Sequence, residues 1–322
     1  ISSRCVLRKS SVNHACSVMA RPIYFYAPGL KRYQTPEFRQ RTPAAFTAVS
    51  VTGEICALSC EHCQGQLLRH MRPLPDGASL FAVCQGLARK GAQGVLVSGG
   101  AGPAGDVPLT PLAKELARIK NELGLRVLVH TGLVDAPQAQ ALAEAGVDGA
   151  LLDVIGAEDT ISQVYHLKAS VEDYRRSLSL LSEHGVPSMP HIVLGLHYGR
   201  WLGEGAALKM VAELPVAALV LVVLTPLEGT PMEEVEPPET GELEAFFHRA
   251  RAALPTTPVL LGCTRPMGEV KVAIDRAAVN AGLDGIAYPA QGTVRYARRK
   301  GLQPVFSETC CAMLPLEIQG GA

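Results

Sequence analysis

The 322-residue sequence predicts an α/β protein, a (β/α)8 barrel of the TIM type, full or partial, with an N-terminal extension and a C-terminal tail. Three observations carry that expectation. From residue 46 onward, short β-branched or aliphatic runs alternate with longer segments of helical periodicity, the pattern of βα units around a parallel sheet. Gly91, Gly124, Gly146, Gly185 and Gly282 each follow a helical segment, where a helix commonly ends on a left-handed residue. Hydrophobic residues make up 48% of the chain, enough for a barrel-sized core.

Residues 1–42 read as a basic extension outside the core, because Arg4, Arg8, Lys9 and Arg21 precede the first acidic residue, Glu37, and Pro22, Pro28 and Pro36 interrupt it. An acid-poor, serine-containing segment also has the composition of a transit sequence, so a cytoplasmic location and a transit segment both stay open. Residues 43–302 are assigned to the barrel. Strands are expected near 46–51, 94–98, 125–130, 149–154, 187–194, 217–224, 258–262 and 284–288. Helices are expected near 77–90, 109–122, 136–145, 171–184, 203–213, 240–253, 268–281 and 291–300. The apolar run 216–224 is too short to span a bilayer and reads as a buried strand. Residues 303–322 form a tail with Cys310 and Cys311. Acidic and basic residues number 30 each, so electrostatics gives no reason to expect nucleic acid or a membrane surface as a partner.

In such a barrel the chemistry sits at the carboxyl ends of the strands. The first strand runs into Cys56-Ala57-Leu58-Ser59-Cys60-Glu61-His62-Cys63, three cysteines spaced C-x3-C-x2-C. Three thiolates in one loop hold an iron-sulfur cube with one iron left open, and an open position separates catalytic from structural metal sites. Zinc would need a fourth ligand, and His62 is poorly placed beside Cys63 to supply it; a disulfide plus a spare thiol would suit a secreted chain. The second strand runs into Ser98-Gly99-Gly100, where glycines let backbone approach a ligand, unless this is an ordinary βα turn. The third ends in His130, and the fourth in Asp153, a carboxylate suited to paired ribose hydroxyls or to a helix cap.

The fifth strand contains His191, a candidate catalytic group, with His197 and Tyr198 after it. A lone histidine beside a strand is more often packed in a core, but two at neighbouring strand ends argue for a lined pocket. The seventh strand runs into Gly262-Cys263-Thr264-Arg265, whose arginine is suited to clamp a carboxylate or steady a charged cluster, with a plain surface arginine as the alternative. The eighth carries Ile286 and Tyr288, apolar enough to pack on adenine. His130, Asp153, Ile286 and Tyr288 are thus candidate cofactor contacts, and Arg265 and His191 candidate catalytic residues. Cys84 reads as core packing in the first helix, and Cys5 and Cys16 as bystander thiols.

The C-x3-C-x2-C loop resembles the signature of the radical S-adenosylmethionine (SAM) superfamily, and over 24–313 the chain is similar to its biotin synthase and lipoyl synthase branch. Residues 225–231 resemble the proline, glycine, threonine, proline loop of biotin synthase, and 262–265 the segment that carries an arginine beside that enzyme's auxiliary cluster. Ser50-Val51-Thr52-Gly53, His130-Thr131-Gly132, 190–199, 261–266 and Cys310-Cys311 are together most like a subunit of the split lipoyl synthases, in which two radical SAM subunits share the work.

The resemblance implies a [4Fe-4S] cluster on Cys56, Cys60 and Cys63 that binds SAM, with His62 at a position that is usually aromatic and Gly99 and Gly100 against the SAM amino group. It implies a 5′-deoxyadenosyl radical that abstracts hydrogen, and sulfur insertion into a protein-bound octanoyl chain. The partners implied are an octanoylated lipoyl carrier protein, a second radical SAM subunit and a reductant protein. The second motif of single-chain lipoyl synthases, C-x4-C-x5-C, is absent. A second, sulfur-donating iron-sulfur cluster would therefore draw on Cys263, Cys310 and Cys311, with Cys5 or Cys16 completing the set. Alternatives are a mutase or cofactor maturase of the same branch, such as a methylornithine synthase or a hydrogenase cofactor maturase, and a non-catalytic metal-binding assembly factor or zinc-stabilised scaffold.

Overall fold

The computed structural model describes residues 20–29, 31–75 and 77–319. Among the described residues there are eleven strands: β1 (Pro22–Tyr26), β2 (Phe46–Ser50), β3 (Arg72–Pro73), β4 (Gly94–Ser98), β5 (Arg126–His130), β6 (Gly149–Asp153), β7 (Ser188–Leu194), β8 (Leu219–Val223), β9 (Val259–Leu261), β10 (Gly285–Ala287) and β11 (Gln303–Ser307). The α-helices are α1 (Leu80–Ala88), α2 (Ala113–Leu123), α3 (Ala136–Ala145), α4 (Glu158–Val164), α5 (Val171–Glu183), α6 (Glu204–Ala212), α7 (Thr240–Ala253), α8 (Glu269–Asn280), α9 (Thr293–Arg299) and α10 (Leu314–Gln319). All strand pairings are parallel, in the order β11-β1-β10-β9-β8-β7-β6-β5-β4-β2-β3. The sheet curls into an open half-barrel. Its end strands are β11 and β3, and β10 does not pair with β2.

The eight expected strands are all present, because a parallel strand covered on its outer face by helices is apolar along its length. Val95, Val97, Val127, Val129, Leu219 and Leu221 are fully buried. Helix starts follow local capping chemistry: Ser79 caps α1, Asp135 caps α3, and Ser170 with Asp173 closes a capping box at α5. No described helix is long and apolar enough to cross a membrane.

Two expectations are corrected. Residues 22–26 were placed outside the core, yet β1 lies between β10 and β11 with Ile23, Phe25 and Tyr26 fully buried. The reason is the apolar, aromatic run Ile23-Tyr24-Phe25-Tyr26 hidden behind the basic segment, and Arg21 anchors it by donating to the carbonyl oxygens of Gly282 and Leu283. Residues 303–307, assigned to a tail, form β11 of the same sheet. The barrel strands therefore do not stop at 43 and 302.

Candidate active site at the carboxyl edge of the sheet

The cysteine loop leaves β2 and is fastened to the loop after β4. Val51 N–H donates to Ser98 O (2.7 Å), Ala57 N–H to Ala101 O (2.9 Å) and Gly100 N–H to Thr52 Oγ1 (2.7 Å). The chain then reverses through Ser59, Gln64 and Gly65, all with positive φ. On its other side Glu61 N–H donates to Val164 O (2.9 Å) and the Glu61 carboxylate meets His166 Nε2 at 2.8 Å, so α4 holds the loop from outside. Cys60 is buried, Cys56 and Cys63 are half-buried, and all three are free thiols, which removes the disulfide alternative.

Cys60 and Cys63 interact directly. Each is the largest influence on the other, lowering the Cys63 thiol and raising that of Cys60, so the pair shares a proton until a cation replaces it. His62 is better placed than its sequence neighbourhood suggests: a ring nitrogen lies within 4.8 Å of ligand atoms of both Cys60 and Cys63. Its Nδ1 is buried without a hydrogen-bond partner, and its ring lies 5.3 Å from that of Tyr165. A Cys63 thiol held ready to deprotonate, with Cys60 against it and the unmatched His62 Nδ1 beside them, fits a bound metal group.

These residues face a cavity of about 320 Å3 that Gly99, Gly100, His130, Asp153, Tyr165 and His191 also line, with apolar walls from Leu96, Val193, Val222 and Leu224. Consecutive strands β5, β6 and β7 supply His130, Asp153 and His191, and Asp153 is in register with His191. His130 Nε2 lies 3.8 Å from Asp153 Oδ1, Tyr165 Oη donates to Asp153 Oδ2 at 3.2 Å, and the two imidazole centroids are 5.7 Å apart. Burial first, and then the neighbouring His130, push His191 down to about 4, so its imidazole is neutral.

The glycine pair serves the loop itself. A Cβ on Gly100 would lie 2.0 Å from Ile55 O and 2.6 Å from Cys56 Cα, so only glycine allows the two loops to touch.

Three expected residues stand away from this cavity's lining. Arg265 is 2% exposed: its Nε donates to Asp275 at 2.7 Å, and its other nitrogens to Gly262 O at 2.8 Å and Tyr288 O at 3.2 Å. Ile286 is buried in β10 against β1 and β9, and Tyr288 is buried with its hydroxyl donating to Pro28 O (2.5 Å). Both residues are taken up in joining β10 and its following turn to β1. His197 points to Thr160 and not into the cavity, and Cys84 is core packing as expected.

Cys263, Cys310 and Cys311 meet pair by pair, without all three sulfurs lying within 4.8 Å of one another. Cys263, just after β9, interacts with Cys311, and Cys311 with Cys310. The contact with Cys311 lowers the Cys263 thiol, assisted by the charges of Arg265, Lys31 and Lys271. Lys271 donates to Tyr288 O and is pushed down to about 8 by burial first and Arg265 next; Lys31 sits 4.5 Å over the Tyr288 ring and is also lowered by burial. Thr264, the next residue, lines the large cavity. Cys5 and Cys16 lie outside the described residues. Nothing in the local sequence around Tyr165, Lys31 and Lys271 marks them, since they converge on these groups only in three dimensions.

The Radical SAM superfamily profile matches residues 50–200. Biotin synthase of Halorhodospira halophila (strain DSM 244 / SL1) is 30% identical over 234 residues, 69% of this chain and 69% of the relative. Biotin synthase of Synechococcus sp. (strain JA-3-3Ab) is 29% identical over 205 residues, 62% of this chain and 60% of the relative. That of Leptothrix cholodnii is 26% identical over 175 residues, 54% of this chain and 50% of the relative. The chain thus spans about half to two thirds of the length of these curated relatives. Among solved structures, methylornithine synthase superposes with a TM-score of 0.56 at 15% identity, covering 86% of each chain. The FeFe-hydrogenase maturase from Carboxydothermus hydrogenoformans gives 0.58 at 13% identity, covering 88% of this chain and 68% of its own. These two likenesses are of fold alone. With the C-x3-C-x2-C loop seated at the carboxyl edge of a parallel half-barrel, the chain belongs to the radical SAM superfamily.

Proposed function

We propose that this radical SAM enzyme inserts sulfur into an octanoyl chain held on a carrier protein, as a subunit of a lipoyl synthase. The observation that carries this reading is a run of thiol contacts, Cys263 with Cys311 and Cys311 with Cys310, with the charges of Arg265, Lys31 and Lys271 acting on Cys263. Arg265, Lys31 and Lys271 favour the Cys263 thiolate, and such a positive surrounding suits an anionic group.

A [4Fe-4S] cluster with SAM, when bound, supplies reductive cleavage to a 5′-deoxyadenosyl radical. Cys56, Cys60 and Cys63 are the residues that would hold the cluster, and the loop after β4 keeps them in place. The apolar walls Leu96, Val193, Val222 and Leu224 suit an alkyl chain and exclude water from it. Cys263, Cys310 and Cys311 would hold the sulfur-donating cluster. Ile55 and Met267 are exposed on loops and Leu67 on the short 3-10 helix Gln66–His70, apolar surface suited to the carrier protein or to a second subunit. A reductant protein is the remaining partner this chemistry needs.

Replacement of Cys263, Cys310 and Cys311 by alanine should lower iron by one cluster, about four iron atoms per chain for a cube. It should leave 5′-deoxyadenosine formation intact and abolish sulfur transfer to an octanoylated carrier. Unchanged iron content would remove the sulfur source. Cys60→Ala should abolish SAM cleavage altogether. One observation favours a second reading: Cys60, His62 and Cys63 offer zinc three ligands within 4.8 Å of one another. Zinc in place of iron after anaerobic purification would decide for a metal-stabilised scaffold.

A further inference from the structure

Between the second and third thiols of the cysteine loop stand Glu61 and His62, and three consecutive residues from another part of the chain grip both. Val164 O, at the end of α4, accepts the Glu61 N–H at 2.9 Å. The Tyr165 ring packs 5.3 Å from that of His62, and His166 Nε2 meets Glu61 Oε1 at 2.8 Å. An ionised carboxylate only accepts, so Nε2 carries a proton and donates it. Tyr165 is buried on the cavity side, whereas the side chains of His166 and Glu61 are 45% and 20% exposed.

His166 takes φ +54°, a left-handed conformation that residues with a side chain seldom adopt. Tyr198, in the loop after β7, takes φ +51° and lies by the same carboxylate: burial first, and then the Glu61 charge, raises its phenol. Its neighbour His197 stands edge-on to the Tyr198 ring at 5.4 Å, and His197 Nδ1 lies 3.3 Å from Thr160 Oγ1 in the first turn of α4. Strained backbone persists where its surroundings over-determine it, and here α4 is tied at its start to the loop after β7 and at its end to the cysteine loop. What the strain secures is the aim of the His166 ring at Glu61. A contact between two partly exposed polar side chains adds little to global stability, so its effect falls on the segment it holds.

We propose that His166 is a positioning residue for the metal-binding loop: by fixing Glu61 it holds the Cys60–Cys63 edge in the conformation that receives the cluster. Two sulfurs that must reach one cluster tolerate little displacement, and a group that orients ligands in this way acts through them and not on the substrate. The role rests on Cys56, Cys60 and Cys63 as cluster ligands and is independent of the sulfur-insertion reading.

The test compares His166→Ala with His166→Gln, whose amide nitrogen can take the place of Nε2. In the metal-free full chain, hydrogen exchange at the amides of residues 60–66, followed by mass spectrometry, should be roughly tenfold faster in His166→Ala and unaltered in His166→Gln. After anaerobic reconstitution, His166→Ala should cost about 10- to 100-fold in iron affinity and shift the electron paramagnetic resonance signal of the reduced cluster, with His166→Gln restoring both. The urea midpoint should stay at the wild-type value in both variants. Exchange and resonance unaltered in His166→Ala, failure of His166→Gln to restore them, or a fall in the midpoint that matches their loss would overturn the assignment. A wild-type chain that takes up no iron would overturn the ligand assignment and the proposal with it; failure of the contact alone is told apart because exchange is read without metal.

Discussion

Gly100 shows how one residue type joins two loops. The sequence marks it as a glycine turn after a strand and suggests close approach to a ligand. In the structure its N–H is given to Thr52, and the space a side chain would need is filled by Ile55 and Cys56. Gly100→Ala should therefore push the cysteine loop away and lower bound iron and SAM cleavage together, as iron analysis and 5′-deoxyadenosine yield would show. Full iron with weakened SAM binding would return the residue to direct ligand contact. Gly99→Ala, whose Cβ would meet only the Thr52 and Val51 side chains at 3.1 to 3.2 Å, should be milder. The presence of the thiols was legible because their spacing is local. The reason for the glycine was not, because its neighbours lie about 45 residues away in sequence.

At the scale of elements, α8 and the loop after β9 are bound through one buried ion pair. Arg265 and Asp275 have fully buried side chains, and the second Asp275 oxygen accepts from Ala290 N (2.6 Å) and Thr293 Oγ1 (3.1 Å). Asp275→Asn leaves the guanidinium without its counter-charge, at a cost of about 3–5 kcal/mol, measurable by urea unfolding. Since the same loop carries Cys263, iron at the second thiol group should fall too. A loss below about 1 kcal/mol would show that the pair is dispensable. The eight inner strands could be read from sequence because burial on both faces writes a continuous apolar run. Helix α4 could not: Glu158-Asp159-Thr160-Ile161-Ser162-Gln163-Val164 is short and polar, and its packing against the cysteine loop is what steadies it.

Across the whole molecule, the tail returns to the first strand. Glu317 accepts from Tyr26 Oη (2.8 Å), Ser307 Oγ (3.0 Å) and Thr309 Oγ1 (2.7 Å), and burial, then this carboxylate, raise the Tyr26 phenol. Glu317→Ala should destabilise the fold by about 1–3 kcal/mol by leaving buried hydroxyls unmatched, with the loss seen in thermal unfolding. An unchanged midpoint would show α10 to be unnecessary to the sheet. The barrel class was legible, whereas its two ends were not, since they depend on which strands lie beside β10 and β2. Those ends also bear on colloidal behaviour. Gln303 gives its N–H to Arg21 O, so the alternate residues Pro304 and Phe306 turn their backbone outward, and proline has no N–H to offer. At the opposite end β3 is two residues long and also contains a proline, Pro73. Among the described residues both edges are poor templates for a further strand, which disfavours growth of the sheet by edge addition. Pro304→Val should restore that template and produce concentration-dependent association in light scattering, while a variant that stays monodisperse would show that the proline is not what guards the edge.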